Sequence, residues 1–180
     1  MAKSAGKYYT DVAIGNCFIA STTAAGVAIP ISTGTAATVG LWNTSTTKNA
    51  VLMYATLGVT SGTIALGVFG IAVINGGFNI ATGAPVSAVT AVTPKNALLG
   101  SGKSSAMTSF SATATTTGGT APVWFGKSIE SATAGLGVFD GIYQFDGSVI
   151  VTPGQLVYLC SSVAQTAIMT CSLAWAEVDV

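Results

Sequence analysis

Apolar residues recur at every second position late in the chain: Ala167, Met169, Cys171, Leu173 and Trp175, with Thr170, Ser172 and Ala174 between them. A repeat of two sends alternate side chains to opposite faces of an extended backbone, so the spacing predicts a half-buried β-strand. Residues 148–152, the turn Pro153-Gly154 and residues 155–160 come before it, and the last 33 residues read as three consecutive antiparallel strands. Upstream, residues 49–59 place Val51, Met53, Ala55, Leu57 and Val59 on one face and Leu52, Tyr54 and Thr56 on the other. After Ser61-Gly62, residues 63–74 are apolar on both faces, as in a strand covered on both sides, and a hairpin joining the two segments is expected.

Asn75-Gly76-Gly77 then breaks the chain; Pro85 and Pro94 bracket a strand over residues 86–92, and Pro122 with Trp124-Phe125 opens another that runs to about residue 129. Gly, Thr and Val interrupt every window of helical length, and Thr and Val lose χ1 freedom in helices, so no amphipathic helix is predicted. About ten short strands separated by turn signals describe an all-β sandwich or barrel. Residues 98–105, rich in Gly and Ser, and residues 111–120, rich in Thr, predict surface loops. Residues 1–40 have no strong period and predict an extended N-terminal arm with the first strands, leading into a single β-sandwich domain over residues 41–180. An arm of that composition finds its partners on neighbouring subunits.

Charge sharpens the picture. The 180 residues contain six Lys, six acidic residues, no Arg and no His, and Lys48 is the only charge between residues 12 and 94. So sparse a charge complement implies a surface covered by other subunits, because large exposed apolar patches invite association. Residues 1–103 hold five Lys against Asp11, while residues 104–180 hold Lys127 against five acids, an asymmetry suited to head-to-tail contact. Without Arg or a basic cluster, nucleic-acid binding has no electrostatic footprint. Residues 51–74 are too broken by Thr56, Gly58, Thr60, Ser61, Gly62, Thr63, Gly67 and Gly70 for a membrane-spanning helix. A membrane barrel would need aromatic girdles, which are missing, and Tyr8, Tyr9 and Asp11 interrupt any secretion signal. Cys17, Cys160 and Cys171 have no metal-ligand spacing and read as small buried side chains.

Catalytic motifs are weak. Residues 97–104, Ala-Leu-Leu-Gly-Ser-Gly-Lys-Ser, fit the loose form of a phosphate-cradling loop, but Pro94 and Lys95 stand where a buried strand should enter and residues 105–117 make a poor helix. Asp140 and Asp146, each followed by Gly, read as hairpin turns before they read as a cation or acid–base pair. With no His, nucleophilic catalysis lacks its usual base, so no catalytic, cofactor-binding or metal-binding residue is assigned. Trp42, Trp124 and Trp175 read as packing residues.

The segments Leu41-Trp42-Asn43, Lys48-Asn49-Ala50-Val51-Leu52, Val151-Thr152-Pro153-Gly154-Gln155-Leu156 and Leu173-Ala174-Trp175-Ala176-Glu177-Val178 together resemble the small jelly-roll structural proteins of tailed bacteriophages over about residues 40–180. The resemblance implies a jelly-roll-like antiparallel β-sandwich, a homotrimer, and a capsid decoration (cement) protein placed on the virion surface after assembly in the host cytoplasm. Its partners would be its own copies and the major capsid protein, with no cofactor, membrane or nucleic acid. In such a trimer a strand apolar on both faces serves the sandwich core and a subunit seam, which makes Ile64, Leu66, Val68, Phe69, Ile71 and Val73 candidate interface residues. Lys103 and Trp124 are candidate loop contacts, and the N-terminal arm a candidate capsid contact. The alternatives are a trimeric glycan- or receptor-binding head, reading sugar with the Thr-rich loop and Trp124, or a tail-tube subunit.

Overall fold

A computed structural model describes residues 6–31, 36–37, 39–74, 86–87, 90–111, 114–116, 123–131 and 140–180. A single helical turn, α1 (Tyr9–Ala13), comes first, followed by β1 (Cys17–Ser21), β2 (Val27–Ala28), β3 (Ala36–Ala37), β4 (Gly40–Trp42), β5 (Lys48–Ser61) and β6 (Gly67–Ile74). The rest is β7 (Val86–Ser87), β8 (Thr90–Val92), β9 (Lys95–Asn96), β10 (Thr108–Ser111), β11 (Ala114–Thr116), β12 (Val123–Ser131), β13 (Asp140–Gln144), β14 (Ile150–Val151), β15 (Leu156–Ser161) and β16 (Ile168–Asp179). Two antiparallel sheets pack as a sandwich, which makes the protein all-β as expected. The first sheet runs β13-β5-β16-β1-β9, with β14 also on β5 and β2 on β16; the second runs β12-β6-β15-β4-β10-β8. A small third sheet joins β3, β11 and β7.

The alternation in β16 is realised as expected: Met169, Cys171, Leu173 and Trp175 enter the core between the sheets, where Trp175 stacks on Phe18 with ring centroids 6.3 Å apart. Burying side chains of this size contributes ~1.5–3 kcal/mol each. The last three strands do not pair with one another, however. β14 and β16 join β5 in the first sheet while β15 lies between β4 and β6 in the second. Likewise β5 and β6 form no hairpin; they belong to opposite sheets. Between them, Gln165 clamps the connection by accepting from Ala65 N at 2.9 Å and donating to Ala65 O at 3.1 Å. Strands that face each other across the core bury two apolar faces at once, and periodicity is the same whichever partner a strand takes.

Two readings of register and extent change for local reasons. In β5, Leu52 pairs with Trp175 and Tyr54 with Ala174, so Met53 is an inserted residue, a β-bulge. The bulge sends Ala50, Leu52, Ala55 and Leu57 to the core and Met53 to the opposite face, where the sequence placed Val51 and Met53 with Ala55. The strand expected over residues 86–92 is split between β7 and β8 in different sheets, and residues 114–116 of the Thr-rich segment form β11 instead of loop. The break at residues 75–77 lies outside the described residues. The N-terminal forty residues supply α1 and β1, and β1 is bonded on one side to β16, with Cys17 opposite Ala176 and Ser21 opposite Ser172, and on the other to β9. Strands β1 and β2 of this segment are therefore part of the sandwich.

The central strands of the second sheet, β4, β15 and the middle of β6, are buried on both sides. Their inner residues Leu41, Phe69, Ile71, Val157 and Leu159 join the core, and Trp42, Ala72, Phe110, Leu156, Tyr158 and Cys160 form a second buried cluster on the sheet's outer side. That double burial is what the two-faced apolar pattern of β6 records. Gly40 makes the outer cluster possible: the Phe110 ring lies directly on its backbone, so that a Cβ there would come within 2.3 Å of Phe110 Cζ and 2.9 Å of Val157 O. Among the described residues no helix is long and apolar enough to cross a membrane. Because the clash involves a buried ring and backbone on a central strand, Gly40→Ala should destabilise the protein by about 1–3 kcal/mol, read as a lower denaturant midpoint with an unchanged slope.

Candidate interaction face

The outer side of the first sheet differs from the three other sheet faces. Because residues directly opposite in an antiparallel ladder share a face, the register lays out its rows. One row is Ile142, Thr56, Ser172 and Ser21, across β13, β5, β16 and β1. A second is Gln144, Tyr54, Ala174, Ile19 and Lys95, and a third begins Asp140, Gly58, Thr170. Their neighbours Leu57, Cys171, Leu173 and Ala20 point into the core, so these rows point out. Among the described residues, charged types hold only the end positions of these rows, Lys95 in one and Asp140 in another. The side chains between are small, hydroxylic or apolar, and Ile142 at one margin is 61% exposed.

The hydroxyls are held in place by the sheet. Thr56 Oγ1 and Ser172 Oγ are hydrogen-bonded across the β5–β16 ladder, Thr170 Oγ1 donates to Gly58 O at 3.3 Å, and Thr22 Oγ1 accepts from Cys171 N at 3.1 Å. A shallow depression of about 200 Å³ lies among Ser21, Thr22, Thr56, Gly58, Thr170 and Ser172. A larger groove of about 510 Å³ runs alongside, lined mainly by Ile19, Ser21, Val92, Lys95 and Leu99, with Leu99 91% exposed.

The other end of the face is covered. Cys17, Met53, Ala174 and Ala176 are buried beneath the strap formed by residues 6–14, which packs Tyr8 and Val12 onto them. The sequence predicted no helix; five residues are too few to show a period, and this turn is stabilised by packing and a glycine stop. Gly15, at φ +72°, donates to Val12 O at 2.9 Å while Asn16 N donates to Asp11 O at 3.0 Å, the paired bonds of a Schellman cap. Asp146 secures the strap: its Oδ1 accepts from Tyr8 Oη at 2.5 Å and lies 2.6 Å from Lys7 Nζ. As expected, Asp146-Gly147 is a tight turn, with φ of +53° and +81° and Ser148 N bonded to Phe145 O at 2.9 Å. Asp140 starts β13 and Asp146 follows its other end, so the two acids do not converge.

The remaining candidates are placed as follows. Ile64, Phe69 and Ile71 are in the core with Val73 packed against it, Val68 is half-buried, and Leu66 is 61% exposed. Trp124 is in strand β12, at the register position opposite Ala72, and not in a loop; its side chain is outside the described set. Residues 97–104 form a loop with no strand-to-helix turn, and Lys103 Nζ donates to Ile14 O at 2.6 Å and Asn16 Oδ1 at 3.2 Å, which uses it to hold the corner after α1. Buried Glu177 holds the far side of that loop, accepting from Ser105 Oγ at 2.5 Å and Ala106 N at 3.1 Å. The charge asymmetry between the halves is in part satisfied within the chain, by Lys7–Asp146 and by Lys48–Asp179 at 2.9 Å. Sequence reasoning missed Tyr8, Thr22 and the open face itself, because facing rows become visible only when register is known. No protein-family model matches the chain, and no curated protein or solved structure matches it either.

The strap contacts titrate. Lys7 and then Tyr8, bonded to Asp146, hold its carboxyl below the ordinary 3.8, and burial first and Asp146 second push the Tyr8 phenol up to about 12. A lowered carboxyl stabilises the strap above its ordinary value and loses that effect as pH falls through the lowered one; a raised phenol stabilises it below 10 and loses it as pH rises through about 12. Phenolate absorbance should therefore show a tyrosine titrating near 12 that shifts toward 10.0 in Asp146→Asn.

Proposed function

We propose that this chain is a structural subunit that self-associates, probing no substrate and carrying out no chemistry, and that it serves as a capsid decoration (cement) protein of a tailed bacteriophage. The observation that supports this is the outer face of the first sheet, on which, among the described residues, charged types hold only end positions of the rows. Covering such a face removes apolar area from water at about 25 cal/mol per Å² without stripping water from an ion in its middle. The hydroxyls that are covered keep partners they already have, such as Thr56 with Ser172 and Thr170 with Gly58. A cement protein needs broad, uncharged contact more than a pocket, and contacts that are weak singly add up over many copies on a lattice. Its partners are its own copies, as a trimer, and the major capsid protein, on the capsid surface of a virion assembled in the host cytoplasm.

Mass determination in solution followed by mixing with undecorated phage heads tests this. A trimer that binds the particles is expected. Ser172→Lys, which puts an ammonium in the middle of the face, should weaken association at least tenfold while leaving the thermal midpoint within a few degrees. A stable monomer that never binds such particles would refute the proposal.

A further inference from the structure

The strap is fastened unequally at its two ends. Its C-terminal corner is held by several bonds: the Schellman cap at Gly15, Lys103 on Ile14 O, and Asn96 Nδ2 donating to Gly15 O at 2.8 Å. Among the described residues, the polar hold on its N-terminal end is one carboxylate, that of Asp146, which takes both Lys7 and Tyr8. The Lys7 and Asp146 side chains are 56% and 47% exposed, and ion pairs so exposed contribute little. No residue of α1 is fully buried, and a space of about 230 Å³ remains beneath it among Tyr8, Val12, Ile19, Met53, Tyr54 and Ala97. A five-residue helix does not persist without its packing.

What the strap covers is a continuation of the open face. Ala174 and Ala176 follow Thr170 and Ser172 on the same side of β16, and Cys17 and Ile19 precede Ser21 on β1. With strands about 4.8 Å apart and roughly 3.3 Å per residue, the rows at Thr170 and Ser172 offer roughly 250 Å² across four strands, and the two rows under the strap add roughly as much again. Two copies meeting on the closed face would bury about 500 Å² in total, no more than an adventitious contact, whereas with the strap raised they would bury about 1,000 Å², where specific interfaces begin.

We propose that residues 6–14 are a latched cover: the strap swings about the corner at Gly15 when Asp146 releases Lys7 and Tyr8, and opening exposes the apolar end of the face to a second copy of the chain. This rests on the self-association proposed above. The free subunit keeps its small-residue apolar patch covered, and a neighbouring copy stabilises the open form by binding to what the strap leaves. The latch sits on a turn residue at φ +53°, where glycine is at ease, so Asp146→Gly removes the carboxylate without straining the turn.

Native cysteines report the motion. Cys17 lies beneath the strap, Cys160 in the second sheet's outer cluster and Cys171 in the core, and all three are buried and free. In the unmodified protein a thiol reagent such as dithionitrobenzoate should label Cys17 at least tenfold faster than the other two, with sites assigned by peptide mass. Asp146→Gly should speed Cys17 by a further tenfold or so, leave Cys160 and Cys171 unchanged, and lower the concentration at which oligomers appear in sedimentation. Asp146→Asn, which keeps a side chain suited to the turn, should do the same to a smaller degree. Equal acceleration of all three thiols, or none at Cys17 in a folded Asp146→Gly protein, would overturn the latch. Selective labelling of Cys17 in variants that stay monomeric at every concentration would support the moving strap and refute self-association instead.

Discussion

The pairing of β5 with β16 is the constraint on which the rest of the structure depends. Twelve register pairs run from Ile168 opposite Ser61 to Asp179 opposite Lys48, and nearly every other feature is attached to this ladder. Its inner side supplies Leu52, Ala55, Leu57, Met169, Cys171, Leu173 and Trp175 to the core. Its outer side supplies Thr56, Gly58, Thr170 and Ser172 to the open face and Ala174 to the part beneath the strap. The bulge at Met53 divides the ladder into two stretches of opposite parity, and the strap packs close to that division. One insertion in one strand thus decides which side chains are core and which lie under the strap.

The two sheets use their uncharged composition differently. The second sheet is enclosed on both sides at its central strands, so Phe69 and Ile71 are matched by Ala72 and Tyr158 on the other face. Tyr158 Oη and Trp42 Nε1 are buried there without a hydrogen-bond partner among the described residues, and burial raises the Tyr158 phenol strongly. The first sheet is enclosed on its inner side and, on its outer side, beneath the strap. Low charge has one cause in the central strands of the second sheet, which are interior, and another in the first sheet, whose outer rows carry charged residues only at their end positions among the described residues.

What the sequence made legible was the alternation within single strands. Met169 to Trp175 kept its alternation because the residue inserted opposite Ala174 and Trp175 belongs to β5 and not to β16, and Asp146-Gly147 formed its turn because the required backbone angles are local properties. Pairing was not legible: β14, β15 and β16 have the periods of neighbours yet alternate between sheets, and nothing in a period of two names a partner. The bulge at Met53 was equally hidden, since Val51, Met53 and Ala55 continue a perfect alternation that the backbone does not follow. The open face was illegible for a related reason. Ser21, Thr56, Ser172 and Ile142 come from four distant segments and form a row only after three separate pairings are fixed.

The β5–β16 ladder also sets the order of events during synthesis. Thr56 and its partner Ser172 are 116 residues apart, so β5 leaves the ribosome long before the strand that will fill the space between it and β1 exists. At about 5–20 residues per second that interval lasts roughly 6–25 s, during which the unpaired edge of a fourteen-residue strand is exposed with hardly a charge to repel another chain. Closing so long a loop also slows folding after release, as it does in folds dominated by distant contacts. A sequence this poor in charge therefore places its greatest hazard before the fold is complete, while the first sheet still lacks its central strand.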